Sequence, residues 1–114
     1  EINHRDNEML RLLDHMIKFK NITNVFVLTN DRSHCSNLFN KVKYKTLKFF
    51  FSDERDYFDI WIISLIKNNI VSSSTLSWWG SYLNENKDKY IIMSNNLGVS
   101  KIRGTRANAE WEIV

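Results

Sequence analysis

The sequence predicts an α/β domain: a parallel sheet of about four strands with helices on both faces. Three observations predict it. Helical and extended signals alternate along the chain, and such alternation argues strand–helix–strand crossovers in a parallel sheet. The strand candidates are short, apolar and rich in branched and aromatic residues, as in strands covered on both sides. The length of 114 residues suits a single core, so one domain is expected over 1–114.

The elements follow in order. Asp6 to Lys20 reads as a helix, because Met9, Leu12, Leu13, Met16 and Ile17 recur near the spacing of one buried face. Asp6 or Asn7 is its expected N-cap. Asn21 to Asn24 ends it, and Val25 to Thr29 reads as a fully buried strand. Asn30 to Ser33 is a turn with cap-forming side chains, and Ser33 to Asn40 a short helix. Thr46 to Phe51 is the second strand. Ser52, Asp53 and Glu54 set a cap and two acids at the start of a helix running to about Asn68, which suits the helix dipole. This helix is apolar all round, which predicts deep burial. Asn69 to Ser72 is a short strand, Ser73 to Thr75 a cap-rich turn, and Leu76 to about Asn84 a helix. Tyr90 to Met93 is the last clear strand. Residues 94–114 read as a loosely defined tail. The sum is a Rossmann-like alternation.

Composition excludes several classes. Apolar residues make up 43% and charged residues 25%, near globular averages, so a disordered tail, a collagen-like chain and a coiled coil are excluded. Cys35 is the sole cysteine, which excludes a disulfide framework and a cysteine-based zinc site. It reads as a small apolar residue. The apolar stretch from Phe58 to Ile66 is far short of the ~20 residues of a membrane span. Residues Glu1 to Asp6 hold no apolar core, so no signal peptide is expected. The missing initial Met suggests an excised segment. The net charge of +3 is mild. Lys41, Lys43, Lys45 and Lys48 read as a solvated face, and nucleic acid is not expected as a partner. His4, His15 and His34 are scattered, with no metal-ligand spacing, so no metal is expected.

In open parallel sheets, ligands sit beyond the carboxyl ends of the strands. Three turns therefore matter: Thr29 to Asp31, Ser52–Asp53, and Ser72 to Ser77. The last is the densest hydroxyl cluster in the chain. Free N–H groups at a helix start favour an anion there, and hydroxyls add donors. A phosphate cradle and a well-capped helix start both fit. No glycine-rich dinucleotide fingerprint and no phosphate-loop Gly-Lys-Ser/Thr is present. Asp59 is an acid within an apolar helix. It reads either as a buried carboxylate accepting hydrogen bonds from a ligand such as guanine, or as an exposed residue of the first turns. Trp78 and Trp79 point in different directions on a helix, one onto the sheet and the other free to meet a ligand.

The stretch from Asp59 to Asn84 resembles the C-terminal signature of the alpha-1,2-fucosyltransferases, glycosyltransferase family 11. Ser74, Thr75, Ser77, Trp78, Trp79, Gly80, Leu83 and Asn84 match that pattern position by position. Val25 to Asp31 resembles the family's strand ending in Phe-Ser-Asp-Asp, and Lys89 to Met93 the strand after the signature. Residues 9–93 carry the resemblance. It implies one lobe of a two-lobed GT-B enzyme that transfers fucose from GDP-fucose to a glycan hydroxyl with inversion. The lobe over 1–114 would bind the nucleotide sugar. Asp59 would meet the guanine edge, Ser74, Thr75 and Ser77 the diphosphate, and Asp31 and Trp78 would lie near the donor. No cofactor and no metal is implied; the partners are GDP-fucose, a glycan acceptor and an N-terminal acceptor lobe.

The chain departs from that pattern at Asn30, Ser73 and Leu76. The family's His-x-Arg-Arg-Gly-Asp motif, with its phosphate-holding Arg, is absent; His4-Arg5-Asp6 has similar letters at another spacing. The chain thus reads as the donor half of a transferase with no identified catalytic residue. A cytoplasmic setting, peripheral at a membrane, is expected, with the Golgi lumen as the alternative. The competing function is a non-enzymatic α/β interaction module derived from such a lobe.

Overall fold

Asn3, not Asp6 or Asn7, starts the first helix. Its side chain accepts from the Asp6 N–H at 2.8 Å, so the helix begins earlier than the apolar spacing suggests. The computed structural model describes residues 3–29, 31–40, 46–52, 56–71, 75–94 and 111–114. The elements run α1 (His4–Phe19), β1 (Asn24–Leu28), α2 (Arg32–Phe39), β2 (Lys48–Ser52), α3 (Asp56–Leu65), β3 (Asn68–Val71), α4 (Thr75–Tyr82), β4 (Tyr90–Met93) and β5 (Glu112–Ile113). The α/β class expected from the sequence is the one observed. All four expected strands form, and β5 adds to them.

Every ladder is parallel. β1 pairs with β2, from Asn24↔Lys48 to Leu28↔Ser52. β3 pairs with β4, from Asn68↔Tyr90 to Val71↔Met93, and β4 pairs with β5 through Ile92↔Glu112. Among the described residues the strands thus form two sheets, β1–β2 and β3–β4–β5. Of the expected tail, 95–110 lies outside the described residues, and Trp111 beside β5 is buried.

Strand alternation assigns the helices to faces. Ile70 and Ile92 pack with Leu12 and Met16 of α1. The neighbouring strand positions Val71, Ile91 and Met93 pack with Trp78 of α4 and with Trp111. The three-stranded sheet is therefore sandwiched between α1 and α4. α2 meets the two-stranded sheet, where Phe39 stacks on Phe49 with centroids 4.9 Å apart. Two expectations are corrected. β1 is not fully buried: Phe26 is 53% exposed and stacks on its register partner Phe50, also exposed, because no described element covers that face. α3 is not buried all round: Trp61 and Leu65 are 57% and 58% exposed, while Ile63 is buried.

Gly80 lets α4 approach α3 closely. A Cβ there would lie 2.6 Å from Ile63 Cβ. The free carbonyls that end α3 are satisfied by side chains. The amides of Asn69 and Asn84 each donate to the Ile63 and Ile66 carbonyls. Among the described residues, no helix is long and apolar enough to cross a membrane.

Candidate functional site

No ladder joins β1 to β3 among the described residues. A cavity of about 790 Å³ lies between them. Its apolar walls include Leu13 and Met16 of α1, Val25 and Val27 of β1, Leu38 of α2 and Ile63 of α3. Parallel strands and their crossovers put the helix starts at the carboxyl end of the sheet. The lining residues from those starts include polar groups, Arg5 and Asp6 of α1, His34 of α2, Asp59 of α3 and Ser77 of α4, with Thr29 from the end of β1, beside Cys35 and Leu76. A cleft with apolar walls and a few convergent polar groups is the form of a small-molecule site.

Asp59 is the buried acid of the two readings left open by its sequence context. It is 7% exposed, and Ser52 Oγ donates to its Oδ1 at 3.4 Å. β2 ends and α3 begins at this point, so a strand end and a helix start hold the carboxylate together. Ser77 is buried and lines the same cleft. Thr75 opens α4, which places that helix's first turn at the cleft. Ser74 lies outside the described residues, as do Asn30, Ser72 and Ser73.

Asp31 acts as a cap. Its carboxylate accepts from the His34 N–H at 3.2 Å, and its own N–H donates to Thr29 Oγ1 at 2.9 Å. Trp78 faces the core rather than the cleft, against Val71, Ile91, Met93 and Trp111. Trp79 is the half-exposed member of the pair. Of the sequence candidates, then, Asp59 and Ser77 meet in the cleft, Asp31 supports its edge, and Trp78 packs behind it.

Sequence reasoning missed three cleft residues. Arg5 lines the cleft with no ion-pair or hydrogen-bond partner among the described residues. Asp6 and His34 pair across it: His34 Nε2 lies 3.1 Å from Asp6 Oδ1 and 3.0 Å from Oδ2. No local signal could join His34 to Asp6, because only the topology brings the first turns of α1 and α2 together. Among the described residues, no group of His, Cys, Asp and Glu could hold a metal ion.

The chain is an α/β lobe with a cleft lined by its helix starts, the end of the sheet where open parallel folds take their ligands. The chain is similar to the O-antigen biosynthesis glycosyltransferase WbnK of Escherichia coli, with 34% identity over 71 residues. The match takes in 60% of this chain and 22% of that protein, so the chain spans a minor part of the relative's length. No family model matches, and neither does any solved structure.

Proposed function

We propose that the chain is a glycosyltransferase's donor-binding lobe, one lobe of a GT-B enzyme of the alpha-1,2-fucosyltransferase type that uses GDP-fucose. The observation that carries this reading is the meeting of Asp59 and Ser77, both from the signature-like stretch, in one cleft. The similarity to an O-antigen glycosyltransferase supports the transferase class.

The chemistry follows from the donor set. A buried carboxylate accepts from two donors side by side, which suits the N1–H and N2–H edge of guanine at Asp59. A diphosphate needs positive charge and hydrogen-bond donors. The first turn of α4 supplies N–H groups and the Ser77 hydroxyl, and Arg5 supplies a cation; Ser74 and Thr75 join them at the diphosphate on the strength of the family resemblance alone. Asp31 stands at the edge of the donor site. Sugar transfer to a glycan hydroxyl then requires the acceptor lobe, contributed by the N-terminal part of such an enzyme.

Calorimetric titration with GDP-fucose, GDP and UDP tests this. Saturable binding of the guanine ligands alone is expected, and Asp59→Asn should weaken it at least ~10-fold, because the amide turns a donor toward the guanine edge. Equal affinity for GDP and UDP, or an Asp59→Asn variant that binds GDP as the wild type does, would overturn the assignment. The second reading, an interaction module, is favoured by the exposed Trp61 and Leu65 of α3. Absence of nucleotide binding at millimolar ligand would select it.

A further inference from the structure

We infer that His34 is the general base of the transfer step, with Asp6 as its positioning residue. The inference rests on the glycosyltransferase reading above. A carboxylate only accepts hydrogen bonds, so Asp6 at 3.0 Å fixes the proton on His34 Nε2. Nδ1 is then the nitrogen with a free lone pair, and no partner for it occurs among the described residues. The His34 side chain is 50% exposed and lines the cleft, so a substrate hydroxyl can reach it.

Both members of the pair are held by caps. Asn3 accepts from the Asp6 N–H at 2.8 Å, and Asp31 accepts from the His34 N–H at 3.2 Å. Asp31 is tied in turn to Thr29 at the end of β1. The two helix starts thus aim one imidazole into the cleft that also holds Asp59 and Ser77. Such a carboxylate–imidazole pair is oriented and tautomer-fixed, as a proton acceptor must be. Among the described residues, Arg5 and Asp59 line the cleft with His34, and the Asp31 carboxylate caps its N–H.

In the step, the acceptor oxygen attacks the anomeric carbon of the donor sugar while its O–H proton passes to His34 Nδ1. The bond from the anomeric carbon to the β-phosphate oxygen breaks, and its electron pair leaves with GDP. The configuration inverts, and His34 keeps its Nε2 contact with Asp6 throughout.

The test follows GDP release from GDP-fucose, with water as acceptor, for the wild type, His34→Gln and Asp6→Asn. Circular dichroism checks the fold, and GDP titration checks the donor site. Release should fall ~10²–10⁴-fold in His34→Gln with GDP affinity little changed. Asp6→Asn should lower kcat and spare KM. A second readout is carbethoxylation of the histidines, located by mass spectrometry. GDP-fucose should protect His34 and leave His15, whose Nε2 lies 2.9 Å from the Tyr90 hydroxyl, unaffected. Intact GDP binding with undiminished release by His34→Gln overturns the base. If the wild type binds GDP but releases none, labelling decides, and unprotected His34 overturns the base. Failure of the wild type to bind GDP overturns the donor reading itself, and the base with it.

Discussion

Glu8 and Tyr90 show how single polar groups are held on the α1 side of the sheet. Burial of a carboxylate costs several kcal/mol unless it is paired. Glu8 is buried, and Arg11 grips it with Nη2 to Oε1 at 2.8 Å and Nε to Oε2 at 3.1 Å. Ser94 Oγ donates to Glu8, and Arg11 Nη2 also reaches the Val114 carbonyl at 2.8 Å. The hydrogen bond to Glu8 raises the Arg11 pKa above its ordinary value. The group joins α1, the end of β4 and the residue after β5. Tyr90, at the start of β4, is pushed up to about 12 by burial and then by the Glu112 carboxylate. The ordinary tyrosine value is ~10, so the folded state keeps its phenolic proton over a range where the unfolded state has lost it. Stability from this group is therefore complete below pH ~10 and is lost as pH rises toward 12. Urea unfolding between pH 9 and 12, each on the order of those pKa values, should show a decline that is shallower in Tyr90→Phe. Identical slopes in the two proteins would refute it. At this scale, sequence marked Asp59 because an acid stood out in an apolar run. It marked Asp6 only as a cap and Glu8 not at all: His34 and Ser94 lie far along the chain, and the local Glu8–Arg11 spacing does not report burial.

Helices α3 and α4 carry the signature-like stretch, and two of its matched residues prove structural. Asn84 ends α3 through the Ile63 and Ile66 carbonyls, and Gly80 sets the distance between the helices. Alanine at 80 would gain roughly 1 kcal/mol of helix propensity. Its Cβ would also meet Ile63 Cβ at 2.6 Å and Cγ2 at 2.7 Å. A Cβ cannot swing aside, so the helices must separate, and overpacking of this kind costs about 1–3 kcal/mol. The clash wins: Gly80→Ala should lower the urea midpoint by a net loss of up to ~2 kcal/mol with little change in slope. A midpoint equal to or above the wild type's would show that the two helices part freely. Element type was legible from α1 to β4 among the described residues, because apolar period and caps are local, while the short β5 in the expected tail was not. Element burial was less so. Periodicity reports which side chains avoid water, and α3 is apolar on every side. It does not report what covers each side, and Trp61 and Leu65 are uncovered among the described elements.

The described strands form two sheets, β1–β2 and β3–β4–β5, and the cleft is lined by β1 from one and β3 from the other. Ligands of open parallel sheets sit beyond the carboxyl ends of the strands, and Thr29, at the end of β1, lines the cleft there. That placement was legible, because alternating elements alone direct attention to the turns after the strands. The break between β1 and β3 was not, since strand pairing is a long-range property that no local spacing records. The break predicts how a ligand would act on the whole chain. A molecule seated there touches both halves, and it binds the folded state alone. At GDP about 100 times its dissociation constant, unfolding should cost roughly 2.7 kcal/mol more. Local openings should be suppressed unevenly, because only contacts across the cleft add to the existing ladders. Hydrogen exchange should therefore slow at β1, β3 and the first turns of α1, α2 and α4. It should slow least at β5, which among the described residues pairs with β4 alone. Slowing spread evenly over all strands, or centred on β4 and β5, would place the ligand elsewhere than between the two halves.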